Sequence, residues 1–446
     1  MHNIFPQRAL WFKALVLFSA LWLPSCATAP AVQPQVNSFV VAERFDSALR
    51  ILEKHKDGYG RNNELLFWLD KGLVLHLAGR YEESIKAFEE AKVEYDQLYT
   101  QSLSKLAATW AYNDYSAPYR GEDFERVMLN IFQGLNFAVL GDCREALVEA
   151  RDVDSILYAI NEQYPDGKKN VYREDAFARF LMGLLYECAG SASDANDAYI
   201  SYQKALEAYE SDYRQHYQMD PPPLLIENLL SLAHRFDPAE FKRLKSKYSP
   251  GGFPSREERD AKAEVYVVHY SGLSPMKYQE WIAVPLPGGI VTKIAFPRYK
   301  ERIFDVREGW FSARKGGAIV ARQPTQLGED IAGIAVKNLS DRKVRVIAKA
   351  VLRPAGKYAL ERYGADALER RHGDAAADAV RVSGSLYNIY SEQADLRAWQ
   401  TLPAQIRVAR LLLAPGEYEF FFNGEPLGTA DVRAGGKKFF LIRTSR

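Results

Sequence analysis

The sequence predicts an α+β multidomain chain: an irregular array of α-helical hairpins, then a β-rich, sandwich-like domain carrying a helical insertion. Three observations predict it. Apolar residues recur with a helical period of about 3.6 from Phe39 to Tyr248. From Glu264 to Arg446 the pattern changes to short β-branched and aromatic runs punctuated by glycine and proline. Between them Ser249–Ser255, SPGGFPS, has linker composition, so residues 249–263 are expected to join two separately folded parts.

At the N-terminus, Arg8 and Lys13 accompany a ten-residue apolar run, Ala14–Leu23. A run this short does not span about 30 Å of hydrocarbon, so residues 1–25 read as a cleavable signal. Leu23, Pro24, Ser25 and Cys26 have the spacing of a bacterial lipobox, with proline where alanine, serine or valine is commoner. The other reading is an ordinary signal peptide cut near Ala27–Ala29. Lipidation of Cys26 would hold the chain durably on a bilayer, because each buried CH₂ contributes about 0.8 kcal/mol and several acyl chains add up. Ala27 replaces the aspartate that retains lipoproteins at the inner membrane. The expected location is therefore the outer membrane, lipid-anchored and facing the periplasm. Residues 26–38, with Pro30 and Pro34, read as an extended, unpacked tether.

Removing 25 of 446 residues leaves a chain long enough for two or three domains. A formal charge of +1 gives no reason to expect nucleic acid as a partner. After Cys26 only Cys143 and Cys188 remain, both near helix–helix turns of neighbouring repeats. A disulfide and two buried thiols are both open. His55, His76, His216, His234, His269 and His372 have no ligand-spaced partners, and glycine-rich phosphate loops are absent, so neither metal nor cofactor is expected.

Within the helical part, Phe45, Ala48, Leu49 and Leu52 form one apolar face. Trp68, Gly72, Leu75, Gly79, Tyr81, Ser84, Phe88 and Ala91 then fall on the spacing of a tetratricopeptide repeat. Gly72 permits close helix approach, Gly79 ends the first helix, and Ser84, Phe88 and Ala91 interlock the second with it. Gly134, Phe137, Gly141, Ala146, Ala150 and Val153 repeat the pattern, as do Gly183, Tyr186, Gly190, Ala195, Tyr199 and Tyr202. Gly72 and Gly134 are 62 positions apart, and Gly134 and Gly183 are 49 apart, so extra helical segments are expected within Gln97–Tyr112 and around Ser155–Glu162. Such arrays usually bind other proteins on a concave face. Pro221–Pro223 breaks the array before a last helical pair, Leu224–His234 and Pro238–Lys247.

Tyr199, Tyr202, Tyr209, Tyr213 and Tyr217 form a helical stripe that either stacks on glycan or, as is more usual, packs on the next helix. Glu145 and Glu149 share a helix face but alternate with Arg144 and Arg151, which favours a solvated, ion-paired surface over a hydrolytic carboxylate pair. The candidate partner-binding surface is Tyr119, Glu122, Glu125, Arg126, Glu149 and Arg151, which combine aromatic with charged groups. The plainer reading makes Gly121–Glu122 a helix start, with Glu122 and Glu125 near its positive end.

In the β-rich part, strands are expected at Glu264–Tyr270, Glu280–Val284, Val291–Phe296 and within Ile303–Ser312. Arg407–Leu413, Glu417–Asn423, Thr429–Arg433 and Lys437–Arg443 form a C-terminal meander, and an antiparallel sandwich packs such strands naturally. The helical insertion is placed around 341–395, from the spacing of Val344, Ile347, Ala348, Val351 and Leu352 and of Lys357–Arg371.

Four stretches, Tyr119–Phe137, Ala146–Asp154, Tyr172–Glu187 and above all Asp395–Tyr418 (DLRAWQTLPAQIRVARLLLAPGEY), resemble a family of uncharacterised tetratricopeptide-containing outer-membrane lipoproteins of Gram-negative bacteria. The resemblance covers most of the mature chain and supplies no catalytic residues. It implies a cell-envelope scaffold, in the context of lipoprotein activators of peptidoglycan synthases. The expected function is thus a non-enzymatic adaptor for an envelope protein. The alternatives are an accessory factor that binds a peptidoglycan synthase or the glycan itself, through aromatics such as Trp281, Trp310 and Trp399, and an envelope hydrolase with unidentified carboxylates.

Overall fold

The computed structural model describes residues 31–100, 117–162, 172–248, 252–285, 291–305, 308–342 and 393–444. Two short helices, α1 (Gln33–Val41) and α2 (Phe45–Lys54), lead into three helical hairpins. These are α3 (Glu64–Leu77) with α4 (Tyr81–Thr100), α5 (Asp123–Leu140) with α6 (Cys143–Glu162), and α7 (Ala176–Ala189) with α8 (Ala192–Ala208). After a π-helical turn at Tyr209–Tyr213 and the proline break, α9 (Pro223–Phe236) and α10 (Pro238–Tyr248) close the array.

The hairpins meet where the glycine spacing says they should. A Cβ on Gly72 would lie 2.5 Å from the Phe88 ring, so only glycine lets α3 and α4 approach this closely. Ser84 Oγ completes the contact by donating to the Gly72 carbonyl at 2.7 Å. The third hairpin repeats the device, with Gly183 against the Tyr202 ring. The expected insertion at Ser155–Glu162 is instead the C-terminal end of a twenty-residue α6. Residues 101–112 of the other expected insertion lie outside the described residues. Cys143 and Cys188 are joined as a disulfide, Cα–Cα 5.7 Å, which ties the start of α6 to the end of α7.

Two segments read as unpacked from sequence are packed. The expected tether becomes α1 from Gln33 onward, and Val32, Val36 and Val40 are buried. Pro34 sits in the first turn, where a missing N–H costs nothing. Gln33 Nε2 donates to Asp70 Oδ2 at 3.0 Å and to the Ala398 carbonyl at 3.1 Å. The expected linker condenses into α11 (Arg256–Ala261), capped by Ser255. Its Arg259 is fully buried and donates to Glu187 Oε2 at 2.6 Å and Glu264 Oε2 at 2.9 Å.

The β-rich part contains β1 (Ala263–Ser271), β2 (Met276–Pro285), β3 (Val291–Lys300), β4 (Trp310–Lys315), β5 (Ala318–Pro324), β6 (Gln326–Glu329), β7 (Gln405–Leu413), β8 (Gly416–Phe422), β9 (Glu425–Val432) and β10 (Lys437–Thr444). Two four-stranded sheets, in the orders β10-β1-β7-β6 and β5-β4-β8-β9, form the sandwich, and β2 and β3 pair as a separate ribbon. The last four strands are not the expected meander: only β8 and β9 pair with each other, while β7 and β10 flank β1 in the first sheet, β10 parallel to it, so that sheet is not purely antiparallel. Val265, Val267, Ala409 and Leu411 of the first sheet meet Phe311, Phe420 and Phe422 of the second. The opposite face of β1, with Tyr266, Val268 and Tyr270, belongs to the same core as the helices. Every residue of β1 is therefore buried, and the molecule has three layers: helical array, central sheet, outer sheet. Helix α12 spans residues 331–342, so the helical insertion begins earlier than expected; Val344 to Arg371 lie outside the described residues.

Candidate functional site

Three helices of the array each present a face at spacing i, i+3, i+4: Lys92, Tyr95 and Asp96 of α4, Arg126, Leu129 and Asn130 of α5, and Asp152, Ser155 and Ile156 of α6. The three faces converge on a cleft of about 210 Å³. A second hollow, of about 160 Å³, continues from it past Gly121 and Glu122 and shares Tyr95 and Arg126 with it.

The cleft is polar, aromatic and of mixed charge. Lys92 Nζ donates to both Glu149 oxygens at 2.7 and 2.6 Å, and Asn130 Nδ2 donates to Glu149 Oε2 at 3.0 Å. Burial pushes the Glu149 carboxyl up to about 7 in spite of Lys92. The Arg126 guanidinium lies over the Tyr95 ring at 5.6 Å and reaches Asp96 at 3.4 Å. The Tyr95 hydroxyl is buried and has no hydrogen-bond partner among the described residues. Gly121, at φ +72°, takes a conformation that disfavours side chains, and a Cβ there would collide with that hydroxyl.

The six candidate residues divide. Arg126 lines the cleft, Glu122 lines the adjoining hollow, and Glu149 is held beneath Lys92. Tyr119 and Glu125 face inward. Tyr119 Oη donates to Glu125 Oε2 at 2.6 Å, and the Trp399 backbone N–H donates to Glu125 Oε1 at 2.8 Å. Burial raises the Glu125 carboxyl to about 7, against the Tyr119 and Trp399 hydrogen bonds. Glu122 and Glu125 also form a capping box at the start of α5, as the plainer reading had it. Glu122 in addition accepts from Lys277 Nζ at 2.7 Å and from Arg342, so it ties α5 to the β part. Arg151 points away, onto the Tyr186 ring of α7, with Nε donating to Tyr186 Oη at 3.2 Å. Glu145 is exposed while Glu149 is buried, so the two do not act as a carboxylate pair. Cys26 lies outside the described residues.

The other aromatic expectations also divide. Tyr199, Tyr202, Tyr209 and Tyr213 are buried packing residues, and Tyr213 Oη donates to Glu329 Oε2 at 2.9 Å. Trp281 and Trp310 are exposed, but Trp399 is buried against Phe88 and Phe132, so it is withdrawn from any glycan surface.

Sequence reasoning missed the buried polar seam between array and sheet. Ser84 donates to the Gly72 carbonyl and accepts from Asn136 Nδ2 at 2.9 Å, which fixes the Asn136 amide. Asn136 Oδ1 must then accept from His76 Nδ1–H at 2.6 Å, leaving His76 Nε2 to accept from Tyr270 Oη–H at 2.8 Å. Burial pushes His76 down to about 4, so this chain works with a neutral imidazole. Asp175 and Glu329 lie close together, at the start of α7 and the end of β6; burial raises both, and the nearby Asp175 charge raises Glu329 further. Among the described residues, no three histidine, cysteine or carboxylate side chains converge as a metal site requires, and no helix is long and apolar enough to cross a membrane. No protein-family model matches the chain, and no curated protein matches it.

Proposed function

We propose that this chain is a non-enzymatic scaffold of the cell envelope, lipid-anchored through Cys26 at the outer membrane and facing the periplasm, that grips a segment of another envelope protein in the Lys92–Arg126–Asp152 cleft. The cleft itself carries the reading. It combines a guanidinium over an aromatic ring, an ammonium, two carboxylates and a carboxamide on three rigid helices, the mixture that recognises peptide backbone and charged side chains. Among the carboxylates with raised proton affinity, Asp70, Glu125 and Glu329 tie elements of the fold together, Asp175 caps α7, and Glu149 is engaged by Lys92 and Asn130, which favours a scaffold over a hydrolase.

The test is capture from cross-linked envelopes, comparing the wild type with Arg126→Glu and with Cys26→Ala. The expected result is a defined protein partner lost with Arg126→Glu, and lost or weakened when the anchor is absent. Incubation of the purified protein with peptidoglycan sacculi supplies the opposing outcomes. Release of muropeptides would replace the scaffold with an envelope hydrolase. Co-sedimentation without release, unchanged by Arg126→Glu, would make the glycan the ligand, as in an accessory factor for peptidoglycan synthesis.

A further inference from the structure

Residues 393–404 form neither helix nor strand, yet positions 397 to 404 are all buried. A connecting segment normally runs over the surface, because a buried one must find partners for backbone groups that no ladder satisfies. Here side chains from elsewhere in the chain supply them. Gln279 Oε1 accepts from the Ala394 N–H at 2.9 Å, and Glu125 Oε1 accepts from the Trp399 N–H at 2.8 Å. Lys277 Nζ donates to the Arg397 carbonyl at 2.9 Å, Gln33 Nε2 to the Ala398 carbonyl at 3.1 Å, and Ser274 Oγ to the Trp399 carbonyl at 3.2 Å.

Alternate side chains of the segment are received as well. Arg397 Nη1 donates to Asn63 Oδ1 at 3.1 Å and to the Ala117 carbonyl at 2.9 Å. The Trp399 ring meets Phe88 and Phe132 edge to face, and Thr401 Oγ1 donates to Asp70 Oδ1 at 2.8 Å. Gln33 and Asn37 belong to α1, Asp70 to α3, and Glu125 and Phe132 to α5. One face of the helical array thus holds residues 394–402 as a protein holds an extended peptide, with polar side chains on the backbone and sites for every second residue. The match is incomplete: Gln33 Oε1, Asn37 Oδ1, Arg302 Nε and Trp399 Nε1 are buried without a hydrogen-bond partner among the described residues. Each such atom costs stability, so the face has polar capacity that the resident segment leaves unused.

We propose that the face of α1, α3 and α5 is a peptide-binding face closed by the chain's own residues 394–402, and that the partner it fits is an extended segment of another protein, with an arginine and a tryptophan two positions apart, that enters by displacing them. The exchange leaves no buried group stranded. An incoming backbone N–H and hydroxyl take over Glu125 and Asp70, an incoming ring refills the site between Phe88 and Phe132, and the unmatched atoms of Gln33, Asn37 and Arg302 are open to further hydrogen bonds. The face is built from other residues than the Lys92–Arg126–Asp152 cleft and does not depend on it.

The test supplies the segment in trans. A fluorescein-labelled peptide with the sequence of residues 394–402 is titrated into the wild type and into the full chain with Trp399→Ala, and binding is read by fluorescence anisotropy. The variant is expected to bind the peptide, and the wild type to bind it about tenfold or more weakly, because its face is open in only a minor fraction of molecules. Peptides with alanine in place of the arginine or the tryptophan should lose binding to the variant. If circular dichroism shows Trp399→Ala unfolded, Arg397→Ala, which keeps the ring in place, takes its role. Equal binding to wild type and variant, or no binding to a folded variant, would overturn the proposal and make residues 394–402 an ordinary part of the core. A photoreactive benzoylphenylalanine at the tryptophan position is expected to cross-link beside Phe88 or Phe132. Capture beside Ile156 of α6 would place the peptide in the cleft and overturn the proposal while leaving the scaffold reading intact.

Discussion

Asp70 and Glu187 are both fully buried carboxylates on the seam between helices and sheet, and their surroundings drive them in opposite directions. Asp70 is met by neutral donors: Gln33 Nε2 at 3.0 Å, Tyr59 Oη at 2.8 Å and Thr401 Oγ1 at 2.8 Å. Burial outweighs them and lifts its carboxyl to about 6. Glu187 is met by cations, Arg256 Nη1 at 2.8 Å and Arg259 Nη2 at 2.6 Å. Burial alone would raise it, but the Arg259 and Lys437 charges overcome that and hold it below the usual carboxylate range. Glu264, with Arg259, Lys437 and Arg410 around it, lies lower still. The lesson is that a buried carboxylate is not one kind of interaction. Matched by a charge it fixes a joint strongly, and matched by hydroxyls and amides it makes a joint that weakens as it ionises.

The largest expected effect breaks the cation-matched side. Arg259→Met leaves Glu187 and Glu264 buried without their shared guanidinium and should cost about 3–5 kcal/mol, read from the denaturant midpoint. Adding Glu187→Gln should recover part of that loss; no recovery would mean that the network is not the cause.

The second prediction concerns pH. Asp70 has a raised folded-state pKa, so its stabilising contribution is complete only below the ordinary value of 3.8 and is lost as pH rises through about 6. Asp70→Asn keeps the shape, since the Thr401 hydroxyl can reverse and accept. Thermal unfolding from about pH 4 to about pH 7 should show the wild type losing about 2 kcal/mol relative to the variant. Parallel profiles would refute the assignment. Glu187 and Glu264 carry the opposite sign: their contribution is present above the ordinary carboxylate range and is lost on acidification.

The smallest effect is the control. Arg243 donates to Glu240 at 2.7 and 2.6 Å, as good a geometry as any on the seam, but its side chain is exposed. Arg243→Gln should therefore change stability by less than about 0.5 kcal/mol in the same assay. A loss comparable to that of Arg259→Met would show that geometry, and not burial, sets the scale.

The array was legible because its signals are local. Gly72 and Phe88, or Gly183 and Tyr202, lie within one hairpin, and their spacing reports a contact the chain makes with itself nearby. The first helix is hidden in the sequence because Pro30 and Pro34 interrupt the valines at 32, 36 and 40, and nothing local says that Gln33 will find Asp70 and Ala398. The cleft is half legible: Arg126 and Glu149 stand out in the sequence, whereas Tyr119 and Glu125 look like surface residues, because nothing local reveals that the Trp399 backbone meets Glu125.

The sequence by itself determined the helical hairpins, their close-packing glycines and the positions of the C-terminal strands, though not their pairing, because each follows from periodicity and backbone freedom within a few tens of residues, whereas β10 pairs with the distant β1. Only the tertiary structure decided that the two parts share one core, that the supposed linker is a buried clamp, and that a cleft opens among α4, α5 and α6. Those outcomes depend on pairs such as Gln33 with Ala398 and Glu187 with Arg259, far apart in sequence. Whether such a polar group is buried against a charge, buried against a hydroxyl or left in water is fixed only when distant elements pack together.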